Sequence, residues 1–323
     1  MPLLSQDDVL SFLACPACRS RVERGRQRYA CSSSDCRFAA PEGFPFAGQQ
    51  PVLVDFDSSI LSEEEVVSSG GRSVIERETS RPVARAVLKA LMPSNRIAAS
   101  NAMRLKQLAR TNAKQPILLI VGGGSTGAGT ECLYEDQQLG IISFDIYASP
   151  LTQFVGDAHR IPLRDESVDA VWIQAVLEHV LDPWSVVSEI HRVLKPQGVV
   201  YAETPFMQQV HEGAYDFTRF TASGHRWMFR EFDEIDSGAA LGPATQFLWS
   251  VDHLVRSLFR SVKAGAIAKL LLFWVKYLDR LAEPSFSLDG ASAVYFLGRK
   301  GDRELGPKDM VDYYKGAHRR TGH

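Results

Sequence analysis

The chain has 323 residues, 45% hydrophobic and 23% charged, a composition typical of globular proteins and unlike that of disordered chains. Its 36 basic and 38 acidic residues give a net charge of -2, so no overall basic field attracts nucleic acid or anionic membranes. No stretch reaches the roughly 18 apolar residues of a membrane span, and Asp7 and Asp8 stand where a leader would carry basic residues. We therefore expect a cytoplasmic protein.

Four of the five cysteines lie within the first 36 residues, as two closely spaced pairs. The pairs are Cys15 and Cys18, then Cys31 and Cys36. Two such pairs can bind one tetrahedral zinc ion through four thiolates, and the alternative is a set of reduced cysteines without metal. We expect residues 1–56 to form a zinc-ribbon-like module that is folded by its metal and has a core of its own.

Residues 57–115 are predicted to be a linker that becomes helical. An apolar pattern from Val83 to Leu91 predicts a helix that ends before Pro93. A second helix is expected to cover the next domain through Ile97, Met103, Leu105 and Leu108.

From residue 116 onward, strands alternate with helices. Buried apolar runs predict parallel strands at 117–121, 141–147, 168–174 and 198–204, and two further strands at 232–238 and 291–300. Before the fourth run, Asp182 fits a helix N-cap and Pro183 fits the first helical position. The pattern predicts an α/β domain over residues 116–300, with helices on both faces of the sheet, followed by a poorly ordered tail at 301–323.

A glycine-rich loop directly follows the first of these strands. Gly122, Gly124 and Gly127 satisfy the G-x-G-x-x-G spacing, which allows a tight turn and a close approach of a nucleotide to the backbone. Asp145 ends the second strand, where a carboxylate can accept two hydrogen bonds from ribose hydroxyls. These residues by themselves suit both NAD and S-adenosylmethionine.

Residues 155–205 read VGDAHRIPLRDESVDAVWIQAVLEHVLDPWSVVSEIHRVLKPQGVVYAETP. This run resembles the class I S-adenosylmethionine-dependent methyltransferases, specifically the type-11-like group, over about residues 116–236 and again near the last strand. The resemblance implies a Rossmann-like sheet, with the glycines at the methionine part of the cofactor, Asp145 at the ribose and Asp157 at the adenine. The implied cofactor residues are Gly122, Gly123, Gly124, Asp145, Asp157, Ala158 and Gln174. Ile120 stands where the family usually has an acidic residue.

Methyl transfer mainly requires in-line positioning, and a base is needed only for a hydroxyl or a protonated amine acceptor. His179, His211 and His225 lie near the expected strand ends, and histidine titrates near neutrality. We predict His211 and His179 as candidate bases, although each histidine could equally be structural. Tyr215, Arg219 and His225 are predicted on the acceptor side.

Five arginines crowd the cysteine region, opposed there by Glu23. They are Arg19, Arg21, Arg24, Arg26 and Arg28. This patch could bind RNA phosphates, and a zinc module joined to such a domain is similar to ribosomal RNA guanine methyltransferases and to the zinc domain that activates tRNA-modifying methyltransferases. A solvated arginine face is the alternative.

A helical insertion with two apolar stripes is predicted at about residues 243–283, before the last strand. It can pack in the core or form a homodimer face, cover the acceptor pocket, or contact a membrane surface peripherally through Lys269, Lys276 and Arg280.

The sequence thus predicts an S-adenosylmethionine-dependent methyltransferase that acts on a small or carrier-linked metabolite, with a hydroxyl as the favoured acceptor. The segment YDFTRFT, residues 215–221, resembles methyltransferases of surface-glycan and secondary-metabolite pathways. One alternative is an RNA base methyltransferase that uses the arginine patch. Another is a non-enzymatic, partner-binding module with a degenerate cofactor pocket. A dehydrogenase is least favoured, because no nicotinamide-side catalytic set follows the glycines.

Overall fold

A long, mostly parallel sheet runs through the computed structural model, which describes residues 2–25, 28–72 and 95–318. Within these residues the sheet has nine strands, β3 (Phe46–Ala47), β4 (Gln50–Leu53), β5 (Ile117–Val121), β6 (Gly140–Asp145), β7 (Phe154–Gly156), β8 (Val168–Gln174), β9 (Leu194–Pro205), β10 (Phe232–Leu241) and β11 (Ala293–Lys300). Their order is β10-β11-β9-β8-β5-β6-β7-β4-β3. A separate hairpin pairs β1 (Val22–Arg24) with β2 (Tyr29–Cys31).

The helices of the described residues are α1 (Gln6–Leu10), α2 (Glu63–Ser68), α3 (Arg96–Asn112), α4 (Glu131–Tyr134), α5 (Pro183–Val193), α6 (Ala222–Met228), α7 (Pro243–Phe259), α8 (Val262–Leu271), α9 (Pro284–Asp289) and α10 (Asp309–Tyr313). None of them is both long and apolar enough to cross a membrane. The helix predicted from Val83 to Leu91 lies outside the described residues.

The predicted α/β, Rossmann-like fold is confirmed. Strands β5 and β8 match their predicted ranges residue for residue, because strands buried on both faces read as uninterrupted apolar runs. Strand β11 runs antiparallel to both β9 and β10, whereas β5 to β9 are parallel. Strand β7 was not among the predicted strands, because three residues are too few to give a recognisable apolar run.

Helices cover both faces of the sheet, as predicted. Asp182 caps α5 by accepting a hydrogen bond from the Ser185 backbone N–H, and Pro183 occupies the first turn. The buried stripe of α5 packs with Val121 in one apolar cluster. Helix α3 packs on the opposite face, but mainly through alanines and Leu105, and Met103 is 52% exposed. The prediction that Met103 covers the domain is therefore wrong.

The prediction of a separate core for the cysteine-containing module is also wrong. Val9, Cys15 and Phe44 belong to the same buried cluster as Phe144 and Phe154 of the main sheet. Strand β4 extends that sheet by pairing in parallel with β7. A segment this short has little apolar surface of its own, and burial against the larger domain supplies the missing core. The boundary at residue 56 stays a prediction.

The predicted insertion is helical and comprises α7, α8 and a 3₁₀ segment, Phe273–Arg280. Much of its apolar surface is not packed in the core of the described chain, since Leu258, Leu271 and Leu281 are 70%, 72% and 83% exposed. Core packing is thus excluded for these side chains, and the pocket lid, the dimer face and the membrane contact remain open.

Candidate active site

A cavity of about 1130 Å³ lies at the carboxyl ends of the parallel strands. Strand β5 is flanked by β6 on one side and β8 on the other, which is the switch point where α/β sheets bind ligands. The sheet contributes Gly122, Asp145, Asp157, Gln174 and Glu203 to the wall. The volume exceeds the roughly 300–1000 Å³ of ordinary small-ligand pockets, so a cofactor and a second molecule can fit together.

Gly122 makes the turn after β5. It has a φ of +74°, a conformation that favours glycine, and a Cβ there would overlap the Val176 side chain. The backbone N–H groups of Gly122 and Gly123 both donate to the Phe144 carbonyl at 3.0 Å. Gly122 lines the cavity, whereas Gly123 and Gly124 stand behind it and hold the turn. The next helix, α4, has four residues, so the loop rather than a long helix faces the ligand.

Asp145 lies where the sequence predicted a ribose-binding carboxylate. One of its oxygens accepts a hydrogen bond from the Gly124 N–H at 2.8 Å, and the other accepts from the Ile146 N–H at 2.7 Å. These two bonds orient the carboxylate on the cavity wall.

Asp157 and Ala158 also line the cavity, but the Asp157 carboxylate has protein partners. It accepts a hydrogen bond from Ser59 and contacts the His159 ring at 2.6 Å. Burial would raise the pKa of Asp157, yet the bonds from His159 and Ser59 outweigh it and lower the pKa. The same contact raises the pKa of His159. Asp157 therefore ties the linker to the turn Ala158–Arg160, beside the predicted adenine edge.

Gln174 supplies an unsatisfied acceptor. Its Nε2 donates to the Ala128 carbonyl at 3.3 Å, while its buried Oε1 has no hydrogen-bond partner among the described residues. A buried polar atom without a partner costs about 1–3 kcal/mol, so a ligand donor at this position would be stabilising. Gln174, the Gly122 turn and Asp145 together fit an adenosine-containing cofactor.

Glu203 is a wall residue that the sequence analysis missed. It lies near the carboxyl end of β9 and accepts hydrogen bonds from Asn95 and from the Tyr201 hydroxyl, each at 2.7 Å. Burial raises its pKa. Asn95 also caps α3, so this pair fixes the N-terminal helix over the cavity. The sequence signal that could have identified Glu203 is a glutamate near the end of an otherwise apolar strand.

Two candidate bases meet on the cavity wall. The rings of His179 and His211 contact each other edge to face, with centroids 5.0 Å apart. The His179 Nδ1 lies 2.7 Å from the Tyr215 carbonyl, and burial lowers the pKa of this histidine. Both histidines line the cavity, as does Tyr215.

Glu178 lies between the two histidines and was not among the predicted site residues. Its Oε1 is 3.6 Å from the His179 Nε2 and 3.9 Å from the His211 Nε2. The residue is 1% exposed, and burial raises its pKa to about 8. Neither carboxylate oxygen has a hydrogen-bond partner in the described part of the chain.

Arg219 and His225 do not reach the cavity. Arg219 pairs with Asp216 and donates to the Gln208 carbonyl at 2.8 Å, so it braces the loop that carries His211. His225 is buried on α6 against Phe229, and burial lowers its pKa to about 3. The structure therefore does not support the acceptor-side prediction for His225, because its ring is enclosed in the core.

The insertion contributes much of the remaining wall. Ile267 and Leu270 of α8 and Phe273 of the 3₁₀ segment line the cavity. This position corresponds to the pocket lid among the three predicted arrangements.

The four cysteines of the N-terminal module converge. Their sulfurs all lie within 4.8 Å of one another, with Cys15 3.6 Å from Cys36 and Cys18 3.4 Å from Cys31. Sulfurs around a tetrahedral zinc, bound at about 2.3 Å, would be about 3.8 Å apart. The donor set and its spacing therefore fit one zinc ion.

The neighbouring arginines are partly paired. Arg19 donates two hydrogen bonds to Glu189, at 2.9 and 2.8 Å, and Arg24 pairs with Asp7. Arg26 lies outside the described residues. Paired guanidinium groups are less available to phosphate, which weakens the RNA alternative.

Residues 119–202 match the model of a family described as a methyltransferase domain. Over 132 residues, 39% of this chain and 45% of the relative, the sequence is 28% identical to malonyl-[acyl-carrier protein] O-methyltransferase 1 of Coxiella burnetii. Over 44 residues, 14% of this chain and 13% of the relative, it is 46% identical to an uncharacterized 37.1 kDa protein in transposon TN4556 of Streptomyces fradiae. The chain thus spans less than half the length of either curated relative.

Among solved structures, the chain is similar to a SAM-dependent methyltransferase from Archaeoglobus fulgidus. It is 13% identical, with a TM-score of 0.42, over 67% of this chain and 99% of that one. The residues that match the family model, 119–202, include strands β6 to β8 of the Rossmann-like sheet.

Proposed function

We propose that this protein is an S-adenosylmethionine-dependent methyltransferase that acts on an oxygen of a small or carrier-linked acceptor. The observation that carries the proposal is one continuous cavity at the carboxyl ends of the parallel strands. Its wall carries a ribose-type carboxylate, Asp145, and the group Glu178, His179 and His211. Such a cavity can hold a donor and an acceptor in one line, which methyl transfer requires.

The cofactor end is assigned to the Gly122 turn, Asp145 and Gln174. Gly122 allows the ligand to approach the backbone, Asp145 accepts from ribose hydroxyls, and Gln174 Oε1 receives the hydrogen bond that it lacks within the described residues. When bound, S-adenosylmethionine supplies an activated methyl group, because its sulfonium sulfur leaves as a neutral thioether. The protein itself therefore has to position the two reactants, exclude water from the site and accept the proton of a hydroxyl acceptor.

Proton handling depends on the acceptor. A hydroxyl must lose its proton, and His211 or His179 can take it, because each ring lies on the cavity wall. A carboxylate acceptor is already ionised near neutral pH and needs no base. In either case Tyr215 holds the His179 ring through its carbonyl, and the Arg219–Asp216 pair holds the His211 loop.

The composition of the cavity wall supports an apolar acceptor. Ile267, Leu270 and Phe273 give it an apolar side, which suits an acyl or other bulky apolar group. The relative in Coxiella burnetii, named for a carrier-linked malonyl group, supports an acyl group on a carrier protein as the first acceptor to test. The Cys15, Cys18, Cys31 and Cys36 cluster is proposed to bind one structural zinc ion.

The test is a methyl-transfer assay with labelled S-adenosylmethionine. The panel contains malonyl and longer acyl groups on acyl carrier protein, the same acids free in solution, glycan-type alcohols, and transfer and ribosomal RNA. We expect incorporation into the carrier-linked or small acceptors and none into RNA. Incorporation into RNA alone would replace the proposed acceptor, and no binding of S-adenosylmethionine by calorimetry would favour a partner-binding module.

A further inference from the structure

The cluster of Glu178, His179 and His211 is built from two separate segments. Glu178 and His179 lie in the 3₁₀ turn that follows β8, and His211 lies in the loop that follows β9. Their ligand atoms, one per residue, all lie within 4.8 Å of one another. Two histidines and a carboxylate form a common ligand set for zinc and for other divalent first-row metals.

The tautomers of both histidines direct a lone pair at Glu178. The His179 Nδ1 faces the Tyr215 carbonyl at 2.7 Å, and the His211 Nδ1 faces the Gln209 carbonyl at 3.3 Å. A carbonyl only accepts hydrogen bonds, so each Nδ1 carries the hydrogen of the neutral ring. Each Nε2 is then an unprotonated donor atom.

Three electron-rich atoms therefore face one another. They are the two Nε2 atoms and the Glu178 Oε1, at 3.6 and 3.9 Å, and both Glu178 oxygens lack hydrogen-bond partners among the described residues. This arrangement is unfavourable unless a shared proton or a metal ion lies between the atoms. Ligand atoms around a tetrahedral metal bound at about 2.0–2.2 Å would be about 3.4 Å apart, so small side-chain shifts suffice.

Outer contacts of the kind found around metal ligands are also present. A backbone carbonyl orients His179, and the Asp216 carboxylate lies 3.4 Å from the His211 Nδ1. Asp216 is itself held by Arg219. Histidine ligands of metals usually donate their other N–H to a carbonyl or a carboxylate, which fixes the ring and raises its basicity.

We propose that Glu178, His179 and His211 bind one divalent transition-metal ion, with its open coordination positions toward the cavity. This inference rests on the proposed function for its role, which is to hold the acceptor oxygen in line with the methyl group. Three protein ligands with an open position are the arrangement of catalytic rather than structural metal sites. The two imidazoles then act as ligands instead of bases.

For a hydroxyl acceptor the chemistry balances without a further reactant. A bound metal ion would lower the pKa of the acceptor hydroxyl, and its proton would pass to water. The acceptor oxygen would then form the new C–O bond as the C–S bond breaks, with the electron pair staying on sulfur to give S-adenosylhomocysteine. A carboxylate acceptor binds the metal directly and loses no proton.

The experiment titrates the full-length, zinc-loaded protein with Co²⁺. Absorption spectroscopy separates nitrogen and oxygen ligation from thiolate ligation, and metal analysis after desalting gives the stoichiometry. We expect one Co²⁺ per chain beyond the zinc, without thiolate charge-transfer bands. Glu178→Gln and His211→Asn should weaken Co²⁺ binding at least about tenfold, whereas His191→Asn, on α5 next to Glu231, should leave it unchanged.

Folding of each variant is checked by thermal unfolding, and Glu178→Gln is nearly isosteric, so loss of binding need not reflect unfolding. The proposal is overturned if all Co²⁺ retained by the wild type is bound by thiolates. It is also overturned if Glu178→Gln binds Co²⁺ as tightly as the wild type. The titration uses neither cofactor nor acceptor. Failure of cobalt binding therefore leaves the proposed methyl transfer standing, and absence of methyl transfer leaves the metal site standing.

Discussion

Arg19 of the cysteine-containing module donates two hydrogen bonds to Glu189 on α5, 170 positions along the chain. Arg192 donates to the same carboxylate from within the helix. Burial would raise the pKa of Glu189, but the bonds from Arg192 and Arg19 outweigh it and lower the pKa. The pair joins the module to the helix that covers the sheet.

Arg19→Ala should lower the stability of the whole chain by about 1 kcal/mol, because Glu189 loses one of two guanidinium partners while the half-exposed Arg19 is partly screened. The measurement is urea unfolding followed by fluorescence. Arg21→Ala is the matched control, since Arg21 is exposed on the same module, and it should have little effect. Equal effects of the two substitutions would contradict the proposed link.

Removal of the proposed zinc should also destabilise the whole chain. Cys15 and Phe44 share a buried cluster with the main sheet, so Cys15→Ser should lower the melting temperature of one common transition. Calorimetry gives the number of transitions, and metal analysis should find about one zinc per chain in the wild type. Two transitions, only one of them shifted by Cys15→Ser, would show that the cysteine-containing module has a separate core.

Asp145→Ala should weaken S-adenosylhomocysteine binding by about ten- to a hundred-fold, or roughly 1.5–3 kcal/mol, because hydrogen bonds to buried ribose hydroxyls are lost. Isothermal titration calorimetry measures the affinity. Asp302→Asn, at an exposed position, is the control. Unchanged affinity in a folded Asp145→Ala protein would falsify the ribose assignment.

Gly122→Ala should cost more stability than Gly213→Ala, although both glycines have positive φ values, +74° and +57°. A Cβ at 122 overlaps Val176, whereas a Cβ at 213 has no heavy atom within 4 Å. We expect a cost of about 1–3 kcal/mol at 213 from the backbone alone, and more at 122. Thermal unfolding of both variants gives the difference, and an equal loss would show that the Val176 contact is unimportant.

His211→Ala should reduce turnover on the true acceptor by something on the order of a hundred-fold, the low end of what general-base catalysis contributes. Steady-state kinetics measures it, with His191→Asn as the control outside the cavity. Full activity of His211→Ala would leave positioning alone as the source of catalysis, with His179 next in line for substitution.

His159 should make stability depend on pH in a defined direction. Its pKa is raised in the folded protein by the hydrogen bond to Asp157. Its stabilising contribution is therefore complete below the unfolded value of about 6.5 and is lost as pH rises through the folded pKa. The stability difference between the wild type and His159→Gln should be larger at about pH 6 than at about pH 9, measured by urea unfolding. A difference that grows with pH would reverse the assignment.

The sequence by itself predicted the central strands, the Asp182 cap and the glycine turn. These features are local, because burial on both faces, a cap directly before its helix or a positive φ each leaves a mark within a few neighbouring residues. Asp145 was found for the same reason, since the end of an apolar run marks the edge of the sheet.

Only the tertiary structure decided which histidines meet. His179 and His211 are separated by 32 positions (211 − 179), and His225 is nearer to His211 in sequence, yet the crossover of β8 and β9 brings the first two together and buries the third. Glu178 gains its importance from the same crossover. The shared core and the Arg19–Glu189 pair likewise join segments far apart in the chain, and contacts between distant segments leave no periodic signal in either one.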